Sequence, residues 1–152
     1  MKNTILITLL LMVTLAGCLT PTPAAHQTQM LQDAALLGNL AGVKESLANG
    51  ADIGARDDLG WTPLMRAVSR GHVEVVKLLL DKGAAVNVRC ENGVTPLMAA
   101  VALDNMEVIT VLVEKGADIN AKAKDKSTPL RMAVSKGRNE VAQFLVSHGA
   151  EL

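Results

Sequence analysis

The side chains able to do acid–base, metal or nucleophilic chemistry are few in this sequence and spaced badly for it. His26, His72 and His148 lie 46 and 76 residues apart, with no Cys or carboxylate beside them at metal-ligand spacing. Cys90 has no CxxC companion and no sign of an activating environment. No GxSxG, HExxH, P-loop or GxGxxG occurs. Glu74, Glu107 and Glu140 recur at intervals of 33, but each opens a helical apolar pattern. A carboxylate there meets the positive end of the helix dipole, worth roughly 0.3 kcal/mol. The sequence therefore predicts no catalytic residue, no metal, no cofactor and no small-molecule substrate: a chain that is not an enzyme. One cysteine, Cys18, sits in a context with chemistry of its own.

Met1 to Cys18 reads MKNTILITLLLMVTLAGC. Lys2 is followed by an uncharged apolar run, Ile5 to Leu15, too short to span a bilayer comfortably but suited to a signal peptide. The ending Leu15-Ala16-Gly17-Cys18 resembles the lipobox of bacterial lipoproteins. That resemblance implies cleavage after residue 17, lipidation and acylation of Cys18, and a periplasmic location on a lipid anchor. Leu19 in place of Asp favours the outer membrane. Residues 18–28 are then the lipidated cysteine and a Pro-containing tether, expected to be extended.

The mature chain would have 135 residues and a side-chain charge of −1, from 14 basic and 15 acidic groups. Only Trp61 and Phe144 are aromatic, although 49% of the chain is hydrophobic. Balanced charge and missing aromatic faces argue against a nucleic-acid partner. A core must be made from Leu, Val, Ala, Ile and Met, which suits thin layers of closely packed helices.

Those layers are written as a repeat. Thr62-Pro63-Leu64-Met65 returns as Thr95-Pro96-Leu97-Met98 and as Thr128-Pro129-Leu130-Arg131, and Gly50, Gly83, Gly116 and Gly149 keep the same offset of 33. Threonine caps a helix and the proline after it suits the first helical turn. A first helix over Pro63 to Arg70 is expected to stop at Gly71. A second follows over Val73 to Asp81, then a projecting hairpin whose turn is marked by Asn92-Gly93. The unit resembles the ankyrin repeat over residues 29–152, as an all-α solenoid of about four units: 29–57, 58–90, 91–123 and 124–152. The outer two read as caps, the first through Glu45 and Ser46, the last through Asn139, Ala142 and Gln143. Met65, Met98 and Arg131 stand where the family usually has His, and Lys126 replaces the turn glycine of Gly60 and Gly93. Weaker third and fourth hairpins are therefore expected.

The resemblance implies a protein-binding groove formed by hairpin tips and first helices. Carried over to this chain, its partner-binding residues are Arg56, Trp61, Arg66, Arg70, Arg89, Val94, Leu103 and Met132. Trp61 either contacts a partner or packs against Arg89 or Val94. The function implied is a monomeric, membrane-anchored interaction module that binds an envelope or periplasmic protein. A narrower alternative is a protective, immunity-type inhibitor of a periplasmic toxin or enzyme, or an accessory to an oxidative-stress enzyme.

Overall fold

The computed structural model describes residues 23–151. Cys18, the segment before it and Leu19 lie outside the described residues. The 33-residue recurrence becomes four helix-turn-helix pairs: α1 (Pro23–Leu37) with α2 (Leu40–Ala48), α3 (Pro63–Arg70) with α4 (Val73–Asp81), α5 (Pro96–Leu103) with α6 (Met106–Glu114), and α7 (Pro129–Ser135) with α8 (Asn139–Ser147). The bounds of α3 and α4 are those the sequence predicts. Thr62, Thr95 and Thr128 each accept a hydrogen bond from the backbone N–H three residues on, at 3.4, 3.3 and 3.2 Å. Each is followed by proline at the first helical position, where no N–H is required.

The tether is shorter than the sequence suggests. Residues 23–28 are the first turns of α1 rather than extended chain. Pro23 pre-sets φ for a helix start and the alanines after it favour the helix. Thr28 is tied into the array, its Oγ accepting from the Asp52 N–H at 3.1 Å.

Two columns of side chains build the core. Leu31, Leu64, Leu97 and Leu130 occupy one register position, and Ala34, Ala67, Ala100 and Ala133 another, all buried. The alanine column lets the first helices of successive units approach closely. These inner helices pack more intimately on one another than the outer helices α2, α4, α6 and α8 do. The array therefore curves, with the inner helices on its concave side.

The ends differ in part from the polar caps expected. Glu45 is exposed, but Ser46 is buried in the column that carries Leu79, Leu112 and Leu145 in the later units. At the other end Gln143 is exposed as a cap requires. Val134 and Val146 are 56% exposed and border an apolar recess of about 740 Å³ with Leu130 and Ala142. They continue columns filled by Val101 and Val113 one unit earlier, with nothing stacked on them among the described residues.

No strands form among the described residues; the projecting loops are tight turns with a repeated closure. In each, a residue N–H bonds the carbonyl four residues on: Asp57 to Trp61, Cys90 to Val94, Ala123 to Ser127. The next-to-last residue of each turn takes a left-handed conformation, at Gly60, Gly93 and Lys126 (φ 64°). Glycine is required at 93, where a Cβ would meet the Lys124 backbone nitrogen at 3.0 Å. Lys126 adopts the same conformation with a side chain, at a cost.

Asparagine staples join the turns to their neighbours. Asn87 donates to the Gly116 carbonyl (3.1 Å) and accepts from the Asp118 N–H (2.7 Å). Asn120 does the same with Gly149 (3.0 Å) and Glu151 (2.9 Å). The matching position in the first unit is Gly54, which has no side chain to reach Gly83 and Ala85. Gly54→Asn is expected to add the missing staple: a new Cβ meets only Asp52 Oδ1, at 3.6 Å. Denaturant titration should show a gain of about 1 kcal/mol, and Asn87→Gly a loss of at least that size. Lys126→Gly should also stabilise, by about 1 kcal/mol, raising Tm by about 3 °C; an unchanged midpoint would mean the left-handed lysine carries no strain.

Candidate partner-binding face

The exposed side of the inner helices and the turn tips beside it form one continuous face. Its first anchor is a cluster around Asp57. One carboxylate oxygen accepts the N–H groups of Leu59 and Trp61, both at 2.9 Å. The other oxygen takes Arg66, through Nε at 2.8 Å and through Nη2. The Arg66 guanidinium also lies over the Trp61 ring, 5.6 Å from its centroid. Trp61 is thus half-buried, with Arg66 on its ring. Burial works to raise the Asp57 pKa, but the N–H of Trp61 and the Arg66 guanidinium outweigh it and hold the carboxyl below its ordinary value.

Beneath this tip lies Gln32 of α1, buried, whose Nε2 donates to the carbonyls of Ala55 (2.9 Å) and Trp61 (3.3 Å). Gln32 holds the register position of Met65, Met98 and Arg131. The bonds between turns that those residues cannot make are made once, in the first unit, by an amide. Under the third tip the same position is apolar: Met98 is fully buried against Ala121 and Ala123, with Val94 and Met132 packed on them. The third tip also replaces the missing turn Asp, because Asp125 accepts both the N–H (2.9 Å) and the hydroxyl (2.6 Å) of Ser127. These two devices offset the weakening expected from Lys126, at a tip where Ala123 stands in the register of Asp57. The second tip, with Cys90 in place of the carboxylate of Asp57, keeps its backbone closure and has the fully buried Met65 in the matching position.

Arg56 and Arg89 form a ladder rather than free arms. Arg56 Nη1 donates to the carbonyls of Gly60 (3.0 Å) and Arg89 (2.6 Å), and Arg89 Nη1 to that of Lys122 (2.6 Å). Both stay exposed and keep donors for a partner. Arg70 and Leu103 are exposed at the ends of α3 and α5, whereas Met132 and Val94 are half-buried. The structure adds Leu37, 75% exposed at the end of α1, in the register of Arg70 and Leu103. Its position was legible in the repeat, yet the first unit lacks the Thr-Pro-Leu signature that would have flagged it. Leu59 at the first tip is 59% exposed and Leu103 is 49% exposed. His72 is structural: its Nε2 meets the Leu36 carbonyl at 3.0 Å.

Asp57→Ala should destabilise the chain by about 2 kcal/mol at neutral pH, since hydrogen bonds to a charged group are lost together. Because the folded pKa is depressed, this stability is fully present above the unfolded value of 3.8 and is lost as pH falls through the lower folded value. The gap between wild type and variant in urea midpoints should therefore close only below pH 3.8. A gap constant into strong acid would show that Asp57 acts without its charge.

Comparison with known proteins agrees with this architecture. Residues 31–123 match the family model described as ankyrin repeats (3 copies), and residues 125–152 match that of a single ankyrin repeat. Two curated relatives are similar over a short stretch: protein phosphatase 1 regulatory subunit 27 of Homo sapiens and of Mus musculus. Each is 49% identical over 45 residues, covering 30% of this chain and 29% of the relative. The matched stretch thus spans less than a third of either relative's length. With family models covering most of the chain on a repeated helix-turn-helix frame, this protein belongs to the ankyrin-repeat family and is built as a protein–protein interaction module.

Proposed function

We propose that this chain is a lipid-anchored, non-enzymatic binding module of the bacterial cell envelope, which holds a protein partner on the concave face of its array. The observation that carries the binding half is the set of exposed apolar side chains on that face, two of them flanking Arg70 in one register row. Leu37 and Leu103 share one register position and stand exposed, with Leu59 and the half-buried Trp61 at the adjoining tip. Scattered apolar residues on a surface are ordinary, but several gathered on one concave wall beside an arginine suit an interface core. The Trp61 ring, immobilised by Arg66, is pre-organised for contact and would lose little entropy on binding.

The anchoring half rests on the sequence from Met1 to Cys18, with its Lys2, apolar run and lipobox-like ending. Two acyl signals hold a chain stably where a single one is marginal, and confinement to a surface raises the effective concentration of both partners. An outer-membrane, periplasm-facing position follows from Leu19. The phosphatase named in the relatives is not carried over, because the shared 45 residues amount to little more than one repeat.

Two measurements test the two halves separately. Cys18→Ser should move the protein from the detergent phase to the aqueous phase in phase partitioning. Unchanged partitioning would refute lipid anchoring at this cysteine. A photo-crosslinking amino acid at position 103 should yield a discrete protein adduct in envelope preparations, and one at Lys44 on the outer helix α2 should not. Equal adducts at both positions would refute a concave binding face.

A further inference from the structure

The chain is nearly neutral overall, but the fold sorts its charges. The inner helices with Lys136 and the three turn tips (residues 56–61, 89–94 and 122–127) carry nine basic and five acidic side chains. The outer helices and the remaining segments after residue 18 carry five basic and ten acidic ones. The concave side is therefore net +4 and the convex side net −5. On the convex side many charges answer one another, as in Lys77 with Glu74 and Glu107, Lys115 with Asp81, and Arg138 with Asp104.

The concave side is itself polarised along the array. In its first half Arg56, Arg66 and Arg70 are balanced by Asp33, Asp57 and Asp58, and Leu37 and Leu59 stand exposed there beside the half-buried Trp61, with Leu103 following at the end of α5. In its second half six basic residues stand with Glu91 and Asp125, and although Arg89 also pairs with Asp118 at 4.0 Å across the edge of the face, the excess charge lies there, chiefly on the lysines. Lys122, Lys124, Lys126, Arg131 and Lys136 are all exposed. Beside them Val94 and Met132 line a recess of about 360 Å³ with Lys124.

Resting on the protein-binding reading above, we propose that the concave face binds an acidic polypeptide segment in one direction. Its apolar end lies on Leu37, Trp61 and Leu103, and its carboxylates lie over Lys122, Lys124 and Lys136. Packed helices stand about 9 Å apart, so the three steps from α1 to α7 span about 27 Å. That distance is matched by about eight residues of extended chain or about 18 of helix. Charge complementarity of this kind supplies orientation and rate, and the apolar end supplies affinity. A flat anionic bilayer fits less well, because Leu37 and Leu103 lie on a concave wall behind the projecting tips.

The test uses the full chain in detergent and an 18-residue fluorescent peptide with a Leu/Ile half and a Glu/Asp half. A matched peptide has Lys in place of every acid, and phosphatidylglycerol vesicles serve as the competing surface. Fluorescence anisotropy should show the acidic peptide bound at least about ten-fold more tightly than the basic one, weakening with salt. K122E/K124E/K136E should weaken it by about ten-fold or more, while K44E/K82E on the convex side should change it less than about three-fold. Equal affinity for both peptides, or equal loss from the two sets of variants, would overturn the proposal. So would vesicle binding abolished by K122E/K124E/K136E with no acidic-peptide binding. A protein adduct at position 103 whose contact segment lacks acidic residues would overturn this inference and leave the protein-binding reading standing.

Discussion

The fold depends on one constraint: no unit of this chain can bury its own apolar face. Leu31, Leu64, Leu97 and Leu130 are each buried only because neighbouring helices close over them, and the alanine column beside them sets how near those helices come. Ala34, Ala67, Ala100 and Ala133 remove the side-chain bulk that would hold the inner helices apart. The outer helices, with larger residues between them, stay further separated. Curvature follows from that difference, and with it a concave side on which other groups can converge. Where the columns end without a neighbour, as at Val134 and Val146, the same residues that make a core elsewhere become surface.

On this frame, polar contacts adjust the tips rather than create them. The three turns share one backbone closure and one left-handed position but secure themselves by different means. The first uses the Asp57 carboxylate and the buried Gln32 amide, the third uses Asp125 and the apolar plug of Met98, and the second, with no turn carboxylate, has its backbone closure, the buried Met65 in the matching position and Arg56 on the Arg89 carbonyl. Such exchange is possible because each tip needs only its orphan N–H groups satisfied and its underside filled. An amide or a thioether of similar length serves. The ladder Arg56 to Arg89 to Lys122 then links the tips along the array, so that a face made of separate loops is held as one surface.

Much of this was legible in the residues. Strict 33-residue spacing identified the units, threonine and proline located the inner helix starts, and glycine marked most ends, because these signals act locally through capping and allowed φ values. Where local signals were weak, the reading fell short. The first unit has no Thr-Pro-Leu, so Gln32 and Leu37 went unassigned although both lie in register. Pro23 reads locally as part of an extended tether, although a proline followed by alanines also starts a helix. The buried Ser46 looked like a solvent-facing cap because a hydroxyl small enough to enter a core has no signature in one dimension.

The sequence by itself determined the repeat, the family, the bounds of α3 and α4 and the lack of any recognisable catalytic motif, all of which depend on residues near one another or at a fixed offset. Only the tertiary structure decided that Trp61 packs on Arg66, that Arg56 and Arg89 reach the next turn, and that the charges divide between two faces. Each of those outcomes depends on how a side chain is placed against groups a full repeat away or on a different element. The 33-residue period brings such groups side by side, but their pairing is chosen by rotamer, reach and burial once the helices are stacked.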